Sequence, residues 1–529
     1  MMVWDGWQRY QHPPVEQIAT TIKSDLPVAT TKPAELAEHA AIVQELTSTN
    51  TGKTIKVKTD FLEVEINSIG GDIQHLDFMK QADAQDKSKP FVLFEKGAGT
   101  HNYMAQTGLL GKGMPNHTTL FSAEQDHYEL AGNADLLQVR LSTVTDNGIK
   151  VIKVLTFHKS SYVIDVEYQI ENTTAEPITT SAYFQFIRDD ITPAGGSMMV
   201  PTYTGAAVYT EKEKFQKVSF SDIDKAKVSY PKESDNGWIG MLQHYFVAAW
   251  LPQDKLNREF FTRKLDGGSY SAGVIVPIPA IAAGQKSVLS VPLYAGPTES
   301  KLDSIASGLG LTVDYGWLTI VATPIFRTLT FIEGIVHNWG VAIIILTLLI
   351  KLIFFPLSAA SYRSMAKMRL VAPKLEKLKL QHADDREKLN KAMMELYKTE
   401  KINPLGGCLP VIIQIPVFIA LYWSILASVE MRNAPFFGWI TDLSTADPYY
   451  VLPLLMGISM FLQSRLNPVP ADPMQAQIMK IMPIAFSVVF FFFPAGLVLY
   501  SIVNNGLSIA QQWYITRGIE VAGAAAVKR

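Results

Sequence analysis

The chain has 529 residues, a formal net charge of -2 and 48% hydrophobic residues, which is length enough for about three average domains. A charge so close to balance excludes a general nucleic-acid binder, since phosphate binding needs an excess of Lys and Arg on one surface. One cysteine, Cys408, excludes a disulfide framework and every multi-cysteine metal site.

The N-terminus carries Trp4 and Trp7, aromatics of the kind found at membrane interfaces, with no apolar run before them. A missing beginning is therefore expected. Residues 11–52, rich in Thr, Ala, Pro and charge, read as a flexible linker with a weak helical pattern over 34–46. From 53 to 308 the pattern has a period of two, as in Leu62-Glu63-Val64-Glu65-Ile66 and Val163-Ile164-Asp165-Val166-Glu167. Such alternation marks half-buried antiparallel strands, and Gly70-Gly71-Asp72 and Gly195-Gly196 supply turns. The region predicts an all-β sandwich domain.

Residues 309–338 are apolar but broken by Pro324, Arg327, Glu333 and His337. An amphipathic helix lying in the membrane interface fits this stretch; a buried helix docking the two domains is the equal alternative. Five membrane-length candidates follow, at 339–357, 408–428, 449–463, 478–493 and 496–514, against the roughly 20 apolar residues a span requires. The third is the weakest, and Pro494-Ala495-Gly496 leaves only a tight turn between the last two, which predicts that they are antiparallel neighbours.

The segment 359–404 holds eleven Lys and Arg residues, whereas 430–448 holds only Arg432. Basic excess marks the cytoplasmic side. Span parity then puts the β-domain outside the cytoplasm and the tail, 517–529, inside it. Within 359–404, Leu389, Met393, Leu396 and Tyr397 share one helical face, and Asp384-Asp385-Arg386-Glu387 offers a capping start. The loop reads as two antiparallel helices turning near His382, with Lys374, Lys377, Arg386 and Lys388 as its basic contact residues. A hairpin that only anchors to anionic phospholipid is the simpler reading.

Lys351 lies inside the first span with Thr347 one turn before it. A cation at mid-bilayer costs roughly 2.5 to 3.5 kcal/mol on insertion scales, so it should face water or a partner unless it snorkels. On the last span Ser501, Asn504, Asn505, Ser508 and Gln512 fall at i, i+3, i+4, i+7 and i+11, a single polar stripe. Stripes of this kind either bond to neighbouring helices or line water. Together with Gln414 on another span, a hydrated groove open to the cytoplasm is the more economical account, lined by Lys351, Thr347, Gln414, Tyr500, Ser501, Asn504, Asn505 and Ser508.

Enzyme signatures fail. The ten histidines form no i, i+4 pair, and Thr47 stands where a phosphate loop before Gly52-Lys53-Thr54 would need glycine. Asp189-Asp190 reads as a pair of solvated turn residues rather than a catalytic dyad. No catalysis, cofactor or metal is expected.

Leu311-Thr312-Val313-Asp314-Tyr315-Gly316-Trp317, Ser364-Met365-Ala366-Lys367-Met368, Asn403-Pro404-Leu405-Gly406-Gly407-Cys408, Asp447-Pro448-Tyr449-Tyr450, Asp472-Pro473-Met474 and Phe493-Pro494-Ala495-Gly496-Leu497 resemble the YidC-type membrane protein insertases of Gram-negative bacteria. The resemblance runs through nearly the whole chain and is densest after Leu311. It implies a periplasmic β-supersandwich, a five-helix transmembrane insertase core over 339–516, a cytoplasmic helical hairpin and an N-terminal anchor helix, of which residues 1–10 would be the remnant. It also implies an inner-membrane insertase and folding chaperone. Its partners would be nascent membrane proteins, the Sec translocon, transiently the ribosome, and the phospholipid bilayer. The family's central groove cation is usually arginine, where this chain has Lys351, and Ser501 replaces a groove tyrosine. Lysine keeps the charge but loses the bidentate fork, so charge rather than guanidinium geometry is expected to matter. The main rival is a polytopic transporter of a small anionic solute, against which no internal repeat is evident; a membrane-anchored periplasmic glycosidase is the second.

Overall fold

The computed structural model describes residues 26–27, 52–83, 86–97, 101–191, 203–253, 255–299, 301–313, 318–382, 385–400, 409–466 and 473–527. The expected anchor remnant, the 34–46 helix, the Gly195-Gly196 turn and Cys408 lie outside them. The chain divides into two units, Met1–Val313 and Asp314–Arg529.

The first unit is an all-β sandwich of two sheets. One runs from Glu233–Ser234 through Arg258–Lys264, Tyr270–Ile281, Ile178–Arg188, Asn102–Leu110, Pro90–Lys96, Ile73–Ala82, Leu62–Asn67 and Thr54–Lys58 to His127–Glu129. The other runs from Lys214–Val218 through Gly205–Thr210, Trp238–Gln243, Phe246–Trp250, Lys286–Pro297, Val163–Asn172, Ile149–His158 and Leu136–Val144 to Ser122–Ala123. Strict alternation in Leu62–Asn67 and Val163–Asn172 becomes alternating burial in both strands, as the two-residue side-chain period of a strand requires. Between the sheets Trp250 is fully buried, 5.2 Å from the Phe184 ring and 5.5 Å from that of Phe186. Tyr168 and Thr107 hydroxyls meet across the layers at 2.7 Å.

The Gly70-Gly71 turn forms with both residues at positive φ, 74° and 64°, a conformation that favours glycine. Their carbonyls accept from the buried Lys153 ammonium at 3.1 and 2.7 Å. Asp72, beside them, is buried and held by the Gln106 amide at 3.0 Å. Burial pushes the Asp72 carboxyl up to about 6, against the opposing pull of Lys153 and His117, and burial pulls Lys153 down to about 8. Asp189 departs from the solvated role expected of it. Its carboxylate accepts from the Asn102 amide at 2.5 Å and pairs with His101 Nδ1 at 2.9 Å, because it closes the end of the strand pair, while Asp190 is exposed.

The second unit is helical: α1 (Thr319–Val336), α2 (Trp339–Ile353), α3 (Phe355–Gln381), α4 (Arg386–Thr399), α5 (Leu409–Ala427), α6 (Val451–Leu466), α7 (Pro473–Phe490) and α8 (Ala495–Val527). Helix α1 buries Ala322, Phe326, Leu329 and Ile332 against α2 and α5. Its outward side is not the polar face of a simple amphipathic helix, since Ile320, Phe331 and Ile335 are exposed there beside Arg327. Among the described residues α1 is the one helix long and apolar enough by itself to cross a membrane.

The first expected span does not run straight to Leu357. Helix α2 ends at Ile353 and α3 leaves it at 67°, because Pro356 lacks the N–H that would continue the ladder and its ring opposes the carbonyl four residues back. Helix α3 then continues without interruption into the expected hairpin, where Asp385 caps α4 by accepting from the Glu387 and Lys388 amides at 3.1 and 3.0 Å. The last two spans also differ from expectation. Helix α7 packs on α6, and α8 packs on α6, α2 and α3; a tight turn fixes neighbouring helices at one end only. Helix α8 extends beyond Tyr514 to Val527.

Candidate functional site

The centre of the helical unit is built where α2, α5 and α8 meet. The start of α8 is held by backbone: Ala495 N donates to Thr445 O at 2.7 Å and Gly496 N to Leu443 O at 2.9 Å, satisfying amides that a helix N-terminus leaves open. Gly496 permits this approach, since a Cβ there would come within 3.2 Å of Leu443 O and of Ile343 Cδ1. The Asp447-Pro448-Tyr449-Tyr450 motif does similar work for α6. The Asp447 carboxylate accepts from Tyr449 N at 3.0 Å, Leu452 N at 2.8 Å and Trp439 Nε1 at 2.9 Å.

On this frame a cleft of about 390 Å³, counting its open mouth, is lined by Ile350, Lys351, Phe354, Ser358, Gln414, Val417, Tyr500 and Asn504. Four of the eight residues expected in a groove therefore line it: Lys351, Gln414, Tyr500 and Asn504. Lys351 Nζ donates to Ser508 Oγ at 2.6 Å, and Ser508 Oγ donates on to Asn504 O at 2.7 Å. Among the described residues no carboxylate lies within ion-pair distance of Lys351, and Ser508 takes up one of the three N–H groups its ammonium carries.

The other expected residues face elsewhere. Thr347 and Ser501 hydroxyls donate to the carbonyls of Ile343 and Leu497 on their own helices, at 2.6 and 2.9 Å, the usual use of a hydroxyl inside a helix. Asn505 Nδ2 donates to Ser459 Oγ at 3.2 Å, and Gln512 Nε2 to Leu466 O at 2.9 Å. The stripe thus divides, with Asn504 and Ser508 toward the cleft and Asn505 and Gln512 binding α6. Sequence reasoning missed Ser358, which lies seven residues past Lys351; the bend at Phe354 hides that spacing. In the hairpin Lys374 pairs with Glu400 at 2.6 Å, bracing α3 on α4, Lys388 pairs with Asp385 at 3.1 Å, and Lys377 is exposed. The Arg386 side chain lies outside the described residues.

An all-β unit followed by a unit of apolar helices, in which Lys351 meets no carboxylate among the described residues, fits a membrane protein that carries a folded β-domain. Comparison with known proteins narrows the class. The YidC periplasmic domain family matches residues 54–328, and the 60Kd inner membrane protein family matches residues 331–522. Membrane protein insertase YidC of Nitrosospira multiformis is 53% identical, with 99% of this chain and 96% of the relative covered. That of Methylobacillus flagellatus is 54% identical over the same shares. An active YidC insertase crystal structure aligns at 18% identity, with a TM-score of 0.41, over 88% of this chain and 93% of that one. The chain belongs to the YidC family of membrane protein insertases.

Proposed function

We propose that this protein is a membrane protein insertase of the bacterial inner membrane, and that the cleft around Lys351 receives the polar tail of a nascent membrane protein while its apolar segment passes into lipid. The observation that carries the reading is a cation on an apolar helix with a serine hydroxyl as its bonded partner and, among the described residues, no acidic neighbour. Such a group offers an acidic tail an ion pair within the bilayer and so lowers the desolvation cost that otherwise blocks its entry. Gln414 and Asn504 supply neutral hydrogen-bonding capacity on two further helices. The same surface would serve a chaperone role for partly inserted helices.

The layout proposed from the sequence accompanies this reading. The β-domain is periplasmic, the α3–α4 hairpin and C-terminus are cytoplasmic, and the basic hairpin residues Lys374, Lys377, Arg386 and Lys388 meet the ribosome or the Sec translocon. Exposed apolar side chains on α6 and α7, among them Leu454, Ile458, Ile484 and Val488, suit a lipid-facing exit.

Site-specific photocrosslinking tests the assignment. A crosslinker at Ser358, on the cleft wall, should capture a stalled single-span client from its polar tail. One at Ile484 should capture lipid or the client's apolar segment. Equal capture of the tail at both positions would remove the cleft from the mechanism.

A further inference from the structure

The ten-stranded sheet carries on its outward face a site that the insertion cleft does not use. Tyr183 and Ile275 are buried there, and Leu110 and Phe261 pack beside them. Two glycines let these rings lie flat: a Cβ on Gly108 would come within 2.6 Å of the Tyr183 hydroxyl, and one on Gly273 within 2.6 Å of the Phe261 ring. The side chain seated on this floor is Leu26, which is 8% exposed.

Arg263 fixes the backbone of the seated residue, its NH1 donating to Leu26 O at 2.8 Å. The guanidinium is itself positioned, stacked 4.9 Å from the Phe261 ring and donating to Gln185 Oε1 at 3.3 Å. Gln185 is held in turn by Ser271 at 2.9 Å and Gln106 at 3.1 Å, and Gln106 by Asp72. A run of buried polar side chains therefore presents one aimed donor beside an apolar pocket. That combination fits a peptide: a leucine fills the pocket, its carbonyl meets the arginine, and a following proline restricts the backbone of the leucine. Pro27 follows and is also buried.

We propose that this face of the sheet is a peptide-binding site for a leucine-proline segment, and that Leu26–Pro27 of the same chain is its resident ligand. The chain is then latched to the domain 27 residues ahead of the first strand at Thr54, rather than joining it only there.

The test uses the full-length protein with Cys408→Ser, carrying Leu26→Cys and Ile275→Cys, treated with mild oxidant or a short bis-maleimide. The expected product is an intrachain crosslink, formed several-fold more slowly when Arg263→Ala is added. The pair Leu26→Cys and Val288→Cys, with Val288 exposed on the other sheet, should stay uncrosslinked and reports on loss of fold. Unreacted thiols in the first pair, crosslinking to Val288 at the same rate, or no slowing by Arg263→Ala would overturn the proposal. Dimers crosslinked between chains would also overturn it, since the occupant would then be a second copy.

Discussion

Replacing Lys351 probes the cleft at its charged point. A client carboxylate that took the place of Ser508 as acceptor would lie about 3 Å from the ammonium, and at an effective dielectric of about 20 the attraction is ~5 kcal/mol. Desolvation and loss of the Ser508 bond cancel most of that. The net gain expected of a hydrogen bond to a charged group is ~1.5–3 kcal/mol, which is roughly 10- to 100-fold in occupancy. Lys351→Ala should therefore slow insertion of an acidic-tailed client into proteoliposomes by roughly 10- to 100-fold, read as protease-protected fragment against time. Lys351→Arg should retain the rate, and a client whose tail acids are changed to Asn and Gln should be affected far less by either change. An equal loss for acidic and neutral tails would mean that Lys351 supports the helices rather than attracts the client. Undiminished insertion of the acidic tail would remove the electrostatic argument.

Two further outcomes follow from the packing. Asn505→Leu combined with Gln512→Leu removes the bonds from Asn505 to Ser459 and from Gln512 to Leu466 that tie α8 to α6 and should cost roughly 1 kcal/mol in total, at the ~0.6 kcal/mol typical of such bonds in membranes; thermal unfolding in detergent should show it, with the preference for acidic tails intact. In the β-unit, the Asp72 carboxyl is raised above its ordinary 3.8 to about 6, so folding favours the protonated form. Its contribution to stability is full below about pH 4 and falls away as pH rises through about 6. Asp72→Asn should therefore gain stability relative to the parent between pH 4 and pH 7, measured by urea unfolding of the β-unit signal; a gap that narrows over that range contradicts the assignment.

Much of the fold is legible because one face of each strand meets the core and the other meets solvent, so the alternation in Leu62–Asn67 and Val163–Asn172 is a direct record of burial. Sheet order is not written locally: Val163–Asn172 lies between Ile149–His158 and Lys286–Pro297, a pairing decided more than a hundred residues away. The polar stripe on α8 is equally plain in sequence, yet successive residues of a helix differ by about 100°. Asn504 and Asn505 consequently serve different neighbours, which no periodicity can assign. Leu26 carries no strand signal, because its stretch has the Thr, Pro and charge of a linker rather than an alternating pattern.

The place of Lys351 in the last turn of α2, just before the 67° bend, has an electrostatic consequence. The peptide dipoles of α2 concentrate partial negative charge at that end, so the ammonium is steadied by a field where, among the described residues, no carboxylate pairs with it. An aspartate beside it would have formed a closed pair and left nothing for a visitor to neutralise. The partial charge at a helix terminus offsets an ammonium only in part, so a net positive charge remains for a carboxylate to meet.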